Sequence, residues 1–305
     1  MKKPELIQQI NKEKAERGIA ILAHTYQTPD IIDIADITGD SYLLAEQARE
    51  VEADTVLLCG VRFMAETVKI LSPQKKVILS HSKATCPMAL QIEPERVAEF
   101  KRNNPNVVVC AYVNTTAELK AVSDVCVTSS SAVRIIEKLP HKDILFIPDQ
   151  NLGAYVQSQL PEKNIILWDG CCPIHHAITA RDAREAKEKY PNAALALHPE
   201  CRPEVLALAD FIGSTSAIIE FAKSHDGDVI IGTERGVADY LRLTESRKNF
   251  YQLREDKLLC ENMKMTTLQD VYNSLIGTGG AEIIMDEELR LAALRPLDNM
   301  LKYGG

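Results

Sequence analysis

Short apolar segments alternate with amphipathic segments along most of this chain. The apolar runs are rich in Val, Ile and Leu and lack strict alternation with polar residues, which is typical of strands buried on both faces of a parallel sheet. Helix patterns, such as those at 42–51 and 217–224, lie between the runs. This rhythm predicts an α/β protein. The apolar runs are 19–23, 55–59, 77–80, 107–113, 144–147, 165–168, 193–197 and 229–231.

The two ends of the chain have helix patterns. Pro4 suits a first helical turn and Gly18 suits a helix end, so the first helix is predicted between them. Near the other end we predict a helix at 266–276, a glycine-rich link at 277–280 and a last helix at about 287–301.

The chain resembles itself at an interval of 86–88 residues. Segments 35–41, 123–129 and 209–215 are alike, and their aspartates lie 88 and 86 residues apart. Polar residues that end an earlier strand of each unit keep the same two intervals. A period of this kind indicates a repeated unit. The aspartates are Asp36, Asp124 and Asp210, and the strand-end residues are His24, Tyr112 and His198.

Three cysteines keep nearly the same period. Cys86, Cys172 and Cys260 are separated by 86 and 88 residues. The repeat predicts three similar α/β units at 1–85, 86–171 and 172–260, with the helices of 261–305 packed on the first unit. If the units surround a pseudo-threefold axis, the cysteines and the polar strand ends can face one centre, since strand ends are where open α/β sheets bind ligands.

The composition of the chain limits the kinds of partner and cellular compartment that we expect for the protein. The chain has 305 residues, 46% hydrophobic and 26% charged, with a formal net charge of −8. An acidic protein is a poor partner for nucleic acid, whose phosphates require a basic face. No apolar leader opens the sequence, and the longest apolar run, 107–113, is too short to span a bilayer. We therefore expect a cytoplasmic protein, in which the eight cysteines are thiols or ligands rather than disulfides.

The cysteines differ in their surroundings. Cys59, Cys110 and Cys126 lie in or beside apolar strands and read as small buried hydrophobes. Cys86 and Cys172 follow strands and precede prolines, which suits ligand positions in loops, and a helix is predicted soon after Cys260. No CxxC pair is present, so the local spacing typical of zinc fingers is absent. Cys171 adjoins Cys172, and we select Cys172 because it precedes a proline and keeps the period. Three thiolates suit either a four-iron cubane with one open iron or a zinc ion with an open fourth site, and the sequence leaves both possible.

The ordered motifs of the chain, from about residue 21 to residue 272, resemble those of the quinolinate synthase family, an enzyme family of NAD biosynthesis. So many matches in order are highly specific. The motifs are AHTYQ (23–27), GDS (39–41), FMAET (63–67), ATCPMA (84–89), YVNT (112–115), TSS (128–130), CPIH (172–175), HPEC (198–201), GST (213–215), GTE (232–234) and NMK (262–264).

The resemblance implies three three-layer αβα units about a pseudo-threefold axis and a [4Fe-4S] cluster on Cys86, Cys172 and Cys260. It implies condensation of iminoaspartate (iminosuccinate) with dihydroxyacetone phosphate to quinolinate, with release of phosphate and water. An aspartate oxidase or dehydrogenase would supply the iminoaspartate. Neither a nucleic acid nor a membrane partner is implied.

Site roles follow from residue type and position together with the resemblance, since the sequence alone would favour buried rings with satisfied hydroxyls for the tyrosines. Glu200 is the candidate general base, and Tyr26 and His198 are candidates for proton exchange or donation to substrate oxygens. Hydroxyls at repeat-equivalent positions before helices can bind carboxylate or phosphate or simply cap the helices. His175 and His176 are expected around the metal ligands. The predicted substrate-binding residues are His24, Ser41, Tyr112, Asn114, Ser129, His198, Glu200, Ser214 and Thr215.

Two alternatives remain at this stage. A zinc-dependent hydrolase or lyase would use the same three thiolates. A non-catalytic small-anion binding protein with a duplicated α/β fold would need no metal. Colour after anaerobic purification separates the first alternative from the cluster enzyme, and product formation from the two substrates excludes the second.

Overall fold

A computed structural model describes residues 2–304 and contains three sheets, each with four parallel strands and flanking helices, which confirms the predicted α/β class. The four parallel strands of the first sheet lie in the order β2–β1–β3–β4. Its strands are β1 (Ile19–His24), β2 (Ile37–Gly39), β3 (Thr55–Cys59) and β4 (Lys76–Leu79). Its helices are α1 (Lys3–Arg17), α2 (Pro29–Ile34), α3 (Ser41–Glu50) and α4 (Arg62–Leu71).

The second sheet repeats this order as β6–β5–β7–β8. A 3₁₀ helix at Met88–Leu90 precedes it. Its strands are β5 (Val108–Tyr112), β6 (Val125–Val127), β7 (Asp143–Ile147) and β8 (Asn164–Leu167). Its helices are α5 (Pro94–Asn103), α6 (Ala117–Ala121), α7 (Ala132–Lys138) and α8 (Gln150–Gln159).

The third sheet has the same order again, β10–β9–β11–β12. Its strands are β9 (Ala194–Leu197), β10 (Phe211–Ile212), β11 (Val229–Gly232) and β12 (Phe250–Gln252). Its helices are α9 (Pro173–His176), α10 (Ala180–Lys189), α11 (Pro203–Leu206), α12 (Thr215–Ser224) and α13 (Arg235–Thr244). Three identical orders at the predicted period confirm the repeated αβα architecture.

The last part of the chain carries a 3₁₀ helix at Asn262–Lys264, then α14 (Leu268–Leu275), β13 (Ala281–Glu282) and α15 (Glu287–Gly304). β13 is antiparallel to β4 and was not predicted, because two residues after a glycine-rich link carry no readable period. α14 and α1 share one apolar core with the first sheet through Leu6, Ile10, Val271 and Leu275.

By contact density the chain forms two compact units. One comprises 2–86 and 260–290, and the other comprises 87–259 and 291–304. The second unit therefore holds two of the three sheets, and the division into three domains at 86 and 172 stays a prediction. No helix within 2–304 combines the length and apolarity that crossing a bilayer requires.

One hydrogen-bond pattern recurs in all three sheets. An aspartate before the second strand accepts the backbone N–H of a residue in the first strand, at 2.8–2.9 Å. A lysine from the preceding helix pairs with the same carboxylate at 2.7–2.9 Å. The sequence repeat therefore reflects an aspartate that binds a strand N–H and a helix lysine in each of the three sheets. The pairs are Asp36 with Lys14, Asp124 with Lys101, and Asp210 with Lys187.

Candidate active site

A buried polar cluster follows the end of β9 in the second compact unit. The buried strand ends at Leu197, and the chain turns so that His198 and Glu200 follow it. The turn closes with the Cys201 N–H donating to the His198 carbonyl at 3.0 Å. Gly232 of β11 allows the neighbouring strand to approach, since a Cβ there would lie 2.1 Å from Leu197 Cδ2. The polar residues are therefore set by a tightly packed strand pair.

Glu200 is held by two histidines. Its Oε2 lies 2.7 Å from His175 Nδ1 and 3.4 Å from His198 Nδ1. The two imidazole rings stack at 4.8 Å between centroids. His175 Nε2 lies 3.0 Å from Thr233 Oγ1 at the end of β11, which fixes the ring from its other side. Glu200 is only 4% exposed, so this network lies out of bulk water.

The surroundings of Glu200 and His175 shift the pKa values of both groups. Burial raises the pKa of Glu200, but the charges and hydrogen bonds of His198 and His175 outweigh burial and lower this pKa below its ordinary value. Burial lowers the pKa of His175, against the opposing effect of Glu200. The lowered pKa of Glu200 favours its ionised form, which can accept a proton but does so as a weaker base than an ordinary carboxylate.

A second buried carboxyl, Asp149, faces this network. Burial and then the negative charge of Glu200 raise its pKa well above the ordinary value, although backbone N–H groups oppose the rise. One oxygen of Asp149 accepts the Leu152 N–H at 2.8 Å and caps α8, and the other accepts the Cys172 N–H at 2.9 Å. Two neighbouring carboxyls with opposite shifts are typical of sites that move protons.

Cys172 joins this cluster directly. It is partly buried and stands at the start of α9, immediately before Pro173. Its Sγ lies 3.2 Å from His175 Nδ1. Ligand atoms of Cys172, His175 and Glu200 all lie within 4.8 Å of one another, so the three side chains together form a donor set that a metal ion can use.

The three periodic cysteines occupy equivalent places. The carbonyl two residues before each one accepts a backbone N–H from the start of a helix that follows the third strand of its unit, at 2.8–2.9 Å. Each is partly exposed and stands just before a short helix. The cysteine–carbonyl–donor sets are Cys86 with Ala84 and Arg62, Cys172 with Gly170 and Gln150, and Cys260 with Leu258 and Arg235.

The remaining cysteines differ from these three. Cys59, Cys110, Cys126 and Cys201 are fully buried, and burial raises the pKa of each thiol, for Cys59 and Cys126 to about 12. Such thiols are poor thiolate ligands. Burial, with smaller effects of nearby carboxylates, also raises the pKa of Cys171. The three periodic thiols, which are partly exposed in loops, are therefore better placed to bind a metal than the four buried thiols.

His24 and Tyr26 lie together at the end of β1 in the first compact unit. His24 is buried and Tyr26 is partly buried. Their rings meet edge to face at 4.5 Å, and the Tyr26 N–H donates to His24 Nδ1 at 3.0 Å. The Lys264 ammonium donates to the Tyr26 carbonyl. Ser41 is the first residue of α3, whose N-terminus is capped by the Asp40 carboxylate.

Tyr112 and Asn114 lie at the corresponding end of β5. Tyr112 is buried and Asn114 is partly buried. The loop is fixed by the fully buried Lys120, whose ammonium donates to the carbonyls of Val113 and Thr115. This lysine positions the loop and was not predicted, because only the fold shows that its side chain turns inward.

The predicted hydroxyl residues have different local settings. Ser129 lies in a turn after β6 rather than directly before a helix. Thr215 is the first residue of α12, and Ser214 caps that helix by accepting the Ala217 N–H at 3.3 Å. Among the predicted residues, Cys172 and Glu200 both contact His175, and Glu200 also contacts His198. His24 and Tyr26 contact each other in the first compact unit. The others lie at strand ends or helix starts of their own sheets.

Sequence reasoning missed Asp149 and Asn151. Asn151 is buried and donates its side-chain N–H to the Glu200 carbonyl at 3.0 Å, and it lies 3.1 Å from His176 Nδ1. Both residues follow β7, the third strand of its unit, whose end was recognised in the repeat. The residue that directly follows the recognised segment is Asp149 in the second unit and Glu234 in the third. Each of these acidic residues caps the next helix, so a comparison of these two positions could have identified Asp149.

Comparisons with known proteins give one consistent result. A family model described as quinolinate synthetase A protein matches residues 8–302. Similar curated proteins are called quinolinate synthase. That of Alkaliphilus metalliredigens is 46% identical over 99% of both chains, and that of Clostridioides difficile is 46% identical over 98% of both. That of Clostridium perfringens strain 13 is 47% identical over 97% of this chain and 98% of the relative.

Proposed function

Because this chain belongs to the quinolinate synthetase A protein family, an enzyme family of NAD biosynthesis, we propose that it condenses iminoaspartate (iminosuccinate) with dihydroxyacetone phosphate to quinolinate, releasing phosphate and water. The observation that carries this proposal is the buried Glu200, held charged by two histidines beside Cys172. The reaction requires several proton transfers from carbon and oxygen, and Glu200 is placed to perform some of them.

We propose Cys86, Cys172 and Cys260 as the ligands of a [4Fe-4S] cluster. Their equivalent backbone tethers and partial exposure support this assignment over one that includes the buried strand cysteines. When bound, such a cluster supplies Lewis-acid chemistry to substrate oxygens at the iron that lacks a protein ligand. The alternative donor set of Cys172, His175 and Glu200 keeps zinc as a second candidate metal.

Glu200 would act as general base through its Oε1 atom. Oε2 is engaged by His175, whereas Oε1 is buried and has no hydrogen-bond partner in the part of the chain that the structure describes. An ionised carboxylate oxygen without a local donor can accept a proton from carbon during isomerisation of the triose-derived part or during aromatisation, and its lowered pKa means that it must pass that proton on quickly. His198, beside the same carboxylate, can carry that proton onward.

The anionic groups of the substrates need hydrogen-bond donors. We assign Tyr26 to the triose oxygen, because a phenol there can donate a hydrogen bond or exchange a proton. The carboxylates and the phosphate would be bound by imidazole, hydroxyl, phenol and amide groups at strand ends and helix starts, where backbone N–H groups add attraction for anions. These residues are His24, Ser41, Tyr112, Asn114, Ser129, His198, Ser214 and Thr215.

The cellular setting follows from the same proposal. We propose a cytoplasmic enzyme that receives iminoaspartate from an aspartate oxidase or dehydrogenase, because imines hydrolyse in water and need prompt use. A non-catalytic anion-binding role would not require a carboxylate buried between two histidines.

Product formation under anaerobic conditions tests the proposal. Reconstituted protein, supplied with dihydroxyacetone phosphate and with iminoaspartate generated in the same vessel, should form quinolinate, measured by chromatography and mass spectrometry. Protein with a full complement of iron that forms none would contradict the proposed reaction. Full activity in metal-free protein would contradict the role of the cluster, and a colourless, zinc-containing active protein would favour the second metal.

A further inference from the structure

Side-chain amides brace the residues immediately before two of the three periodic cysteines. Gln91 bonds both ends of Cys171: its Oε1 accepts the Cys171 N–H at 2.8 Å, and its Nε2 donates to the Cys171 carbonyl at 3.1 Å. Asn262 donates through Nδ2 to the carbonyl of Thr85 at 2.6 Å. The braced residues directly precede Cys172 and Cys86 in the chain.

The two amides also have related places in the fold. Each periodic cysteine at 86 and 260 is followed by a 3₁₀ helix. Gln91 directly follows the 3₁₀ helix after Cys86, and Asn262 is the first residue of the 3₁₀ helix after Cys260. The same short helix that follows a thiol thus presents an amide to the loop that precedes another thiol. The two amides stand at different offsets, five residues after Cys86 (91−86) and two after Cys260 (262−260), so they are similar contacts at two separate positions.

The loop before Cys172 is held at three consecutive residues. The Gly170 carbonyl accepts the Gln150 N–H at 2.8 Å, Gln91 brackets Cys171, and the Cys172 N–H donates to Asp149 at 2.9 Å. A Cβ at position 170 would lie 2.5 Å from the Pro148 carbonyl oxygen and 2.9 Å from Gln91 Oε1. Glycine therefore permits the close approach on which the brace depends.

We propose that Gln91 and Asn262 are positioning residues that hold the Cys172 and Cys86 loops in the geometry that binds the iron–sulfur cluster. This inference rests on the proposed cluster. An exposed loop that loses such a brace samples other conformations, so a ligand on it returns less often to the metal. Partners that orient metal ligands typically contribute about 10–100-fold to metal retention.

Replacement by alanine and by the acid tests each amide separately. Gln91→Ala removes both bonds, whereas Gln91→Glu can still accept the Cys171 N–H but places a carboxylate oxygen against the Cys171 carbonyl. Asn262→Ala and Asn262→Asp both remove the side-chain N–H that donates to the Thr85 carbonyl. Gln159→Ala is the matched control, since the Gln159 amide is exposed and donates to Ser158 in the adjacent position.

Iron and sulfide retention after anaerobic reconstitution is the main readout. We expect the rate of cluster loss to a chelator to rise roughly tenfold for Gln91→Ala and Asn262→Ala, less for Gln91→Glu, and not at all for Gln159→Ala. Activity per bound cluster and the thermal unfolding midpoint of the metal-free chains should remain at wild-type values. Hydrogen exchange of the Cys171 amide in metal-free protein should accelerate in Gln91→Ala.

Three outcomes would overturn the inference. Retention in both alanine variants equal to that of wild type would do so, as would a loss of retention matched by a lower unfolding midpoint, since the amides would then only stabilise the fold. A wild-type chain that binds no cluster would overturn both this inference and the proposed function. If wild type holds the cluster and makes no quinolinate, only the proposed reaction fails, and the effect of the amides on retention still decides the inference.

Discussion

Glu200 has two carboxylate oxygens in unlike surroundings. Oε2 is bound by His175, and Oε1 is buried without a hydrogen-bond partner among residues 2–304. The residue and its neighbour His198 could be predicted from sequence, because both follow a strand at a repeat-equivalent position. The charge state of Glu200 could not be predicted, because it depends on burial and on the contacts with His198 and His175 that only the fold creates.

Replacing Glu200 by Gln should lower the turnover number by about 10²–10⁴-fold, since the amide cannot accept a proton at neutral pH. Iron content and the unfolding midpoint provide the check that the site is otherwise intact. Glu204→Gln is the control, because this nearby carboxylate is exposed. Activity of Glu200→Gln within twofold of wild type, at equal iron content, would remove Glu200 from the role of base.

At the scale of elements, the repeated aspartate–lysine pairs join each preceding helix to the first and second strands of its sheet. The Asp124 carboxylate accepts the Val109 N–H at 2.9 Å and pairs with Lys101 at 2.7 Å. The sequence period located these aspartates, since it repeats wherever the packing repeats. It did not identify their lysine partners, because a lysine in a polar helix reads equally well as a solvated surface residue.

Asp124→Ala should lower the free energy of unfolding by about 1–3 kcal/mol, because it leaves the buried Val109 N–H without its acceptor. Asp124→Asn should cost less, since the amide oxygen can still accept that bond. Urea denaturation measures both changes, with the exposed Glu137→Ala on α7 as control. Equal costs for the alanine and asparagine variants would show that the ion pair, and not the backbone bond, is what stabilises the sheet.

The start of α10 makes a pH-dependent contribution. Burial raises the pKa of Asp182, but hydrogen bonds from Lys257 and Thr179 outweigh burial and lower this pKa to about 2 from an ordinary 3.8. Because the folded-state pKa is depressed, the stabilisation is complete above about pH 4 and is lost as the pH falls towards 2. The carboxylate also pairs with Arg254.

We therefore expect Asp182→Asn to be less stable than wild type by roughly 1–2 kcal/mol at pH 7. The difference should shrink as the pH falls from 4 to 2, because wild type then loses the same charge. Urea denaturation at several pH values checks this. A difference that stays constant over that range would show that the Asp182 charge does not contribute.

At the scale of the whole molecule, three sheets with one strand order carry one periodic cysteine each. The period of 86–88 residues predicted this repetition, because buried parallel strands and strand-end polar groups leave a strong pattern. It did not predict the antiparallel β13 or the grouping of residues 291–304 with the second compact unit. Those features depend on tertiary contacts that short segments do not encode locally.

We propose that Cys86, Cys172 and Cys260 together hold one [4Fe-4S] cluster. The most direct measurement is the iron and sulfide content of anaerobically purified protein, with its absorption spectrum, for wild type and for alanine variants of each cysteine and of Cys171. We expect a brown wild type with about four irons and four sulfides per chain, colourless variants at the three periodic positions, and an unchanged Cys171→Ala. A colourless wild type, or a cluster lost with Cys171 and kept without Cys172, would contradict it.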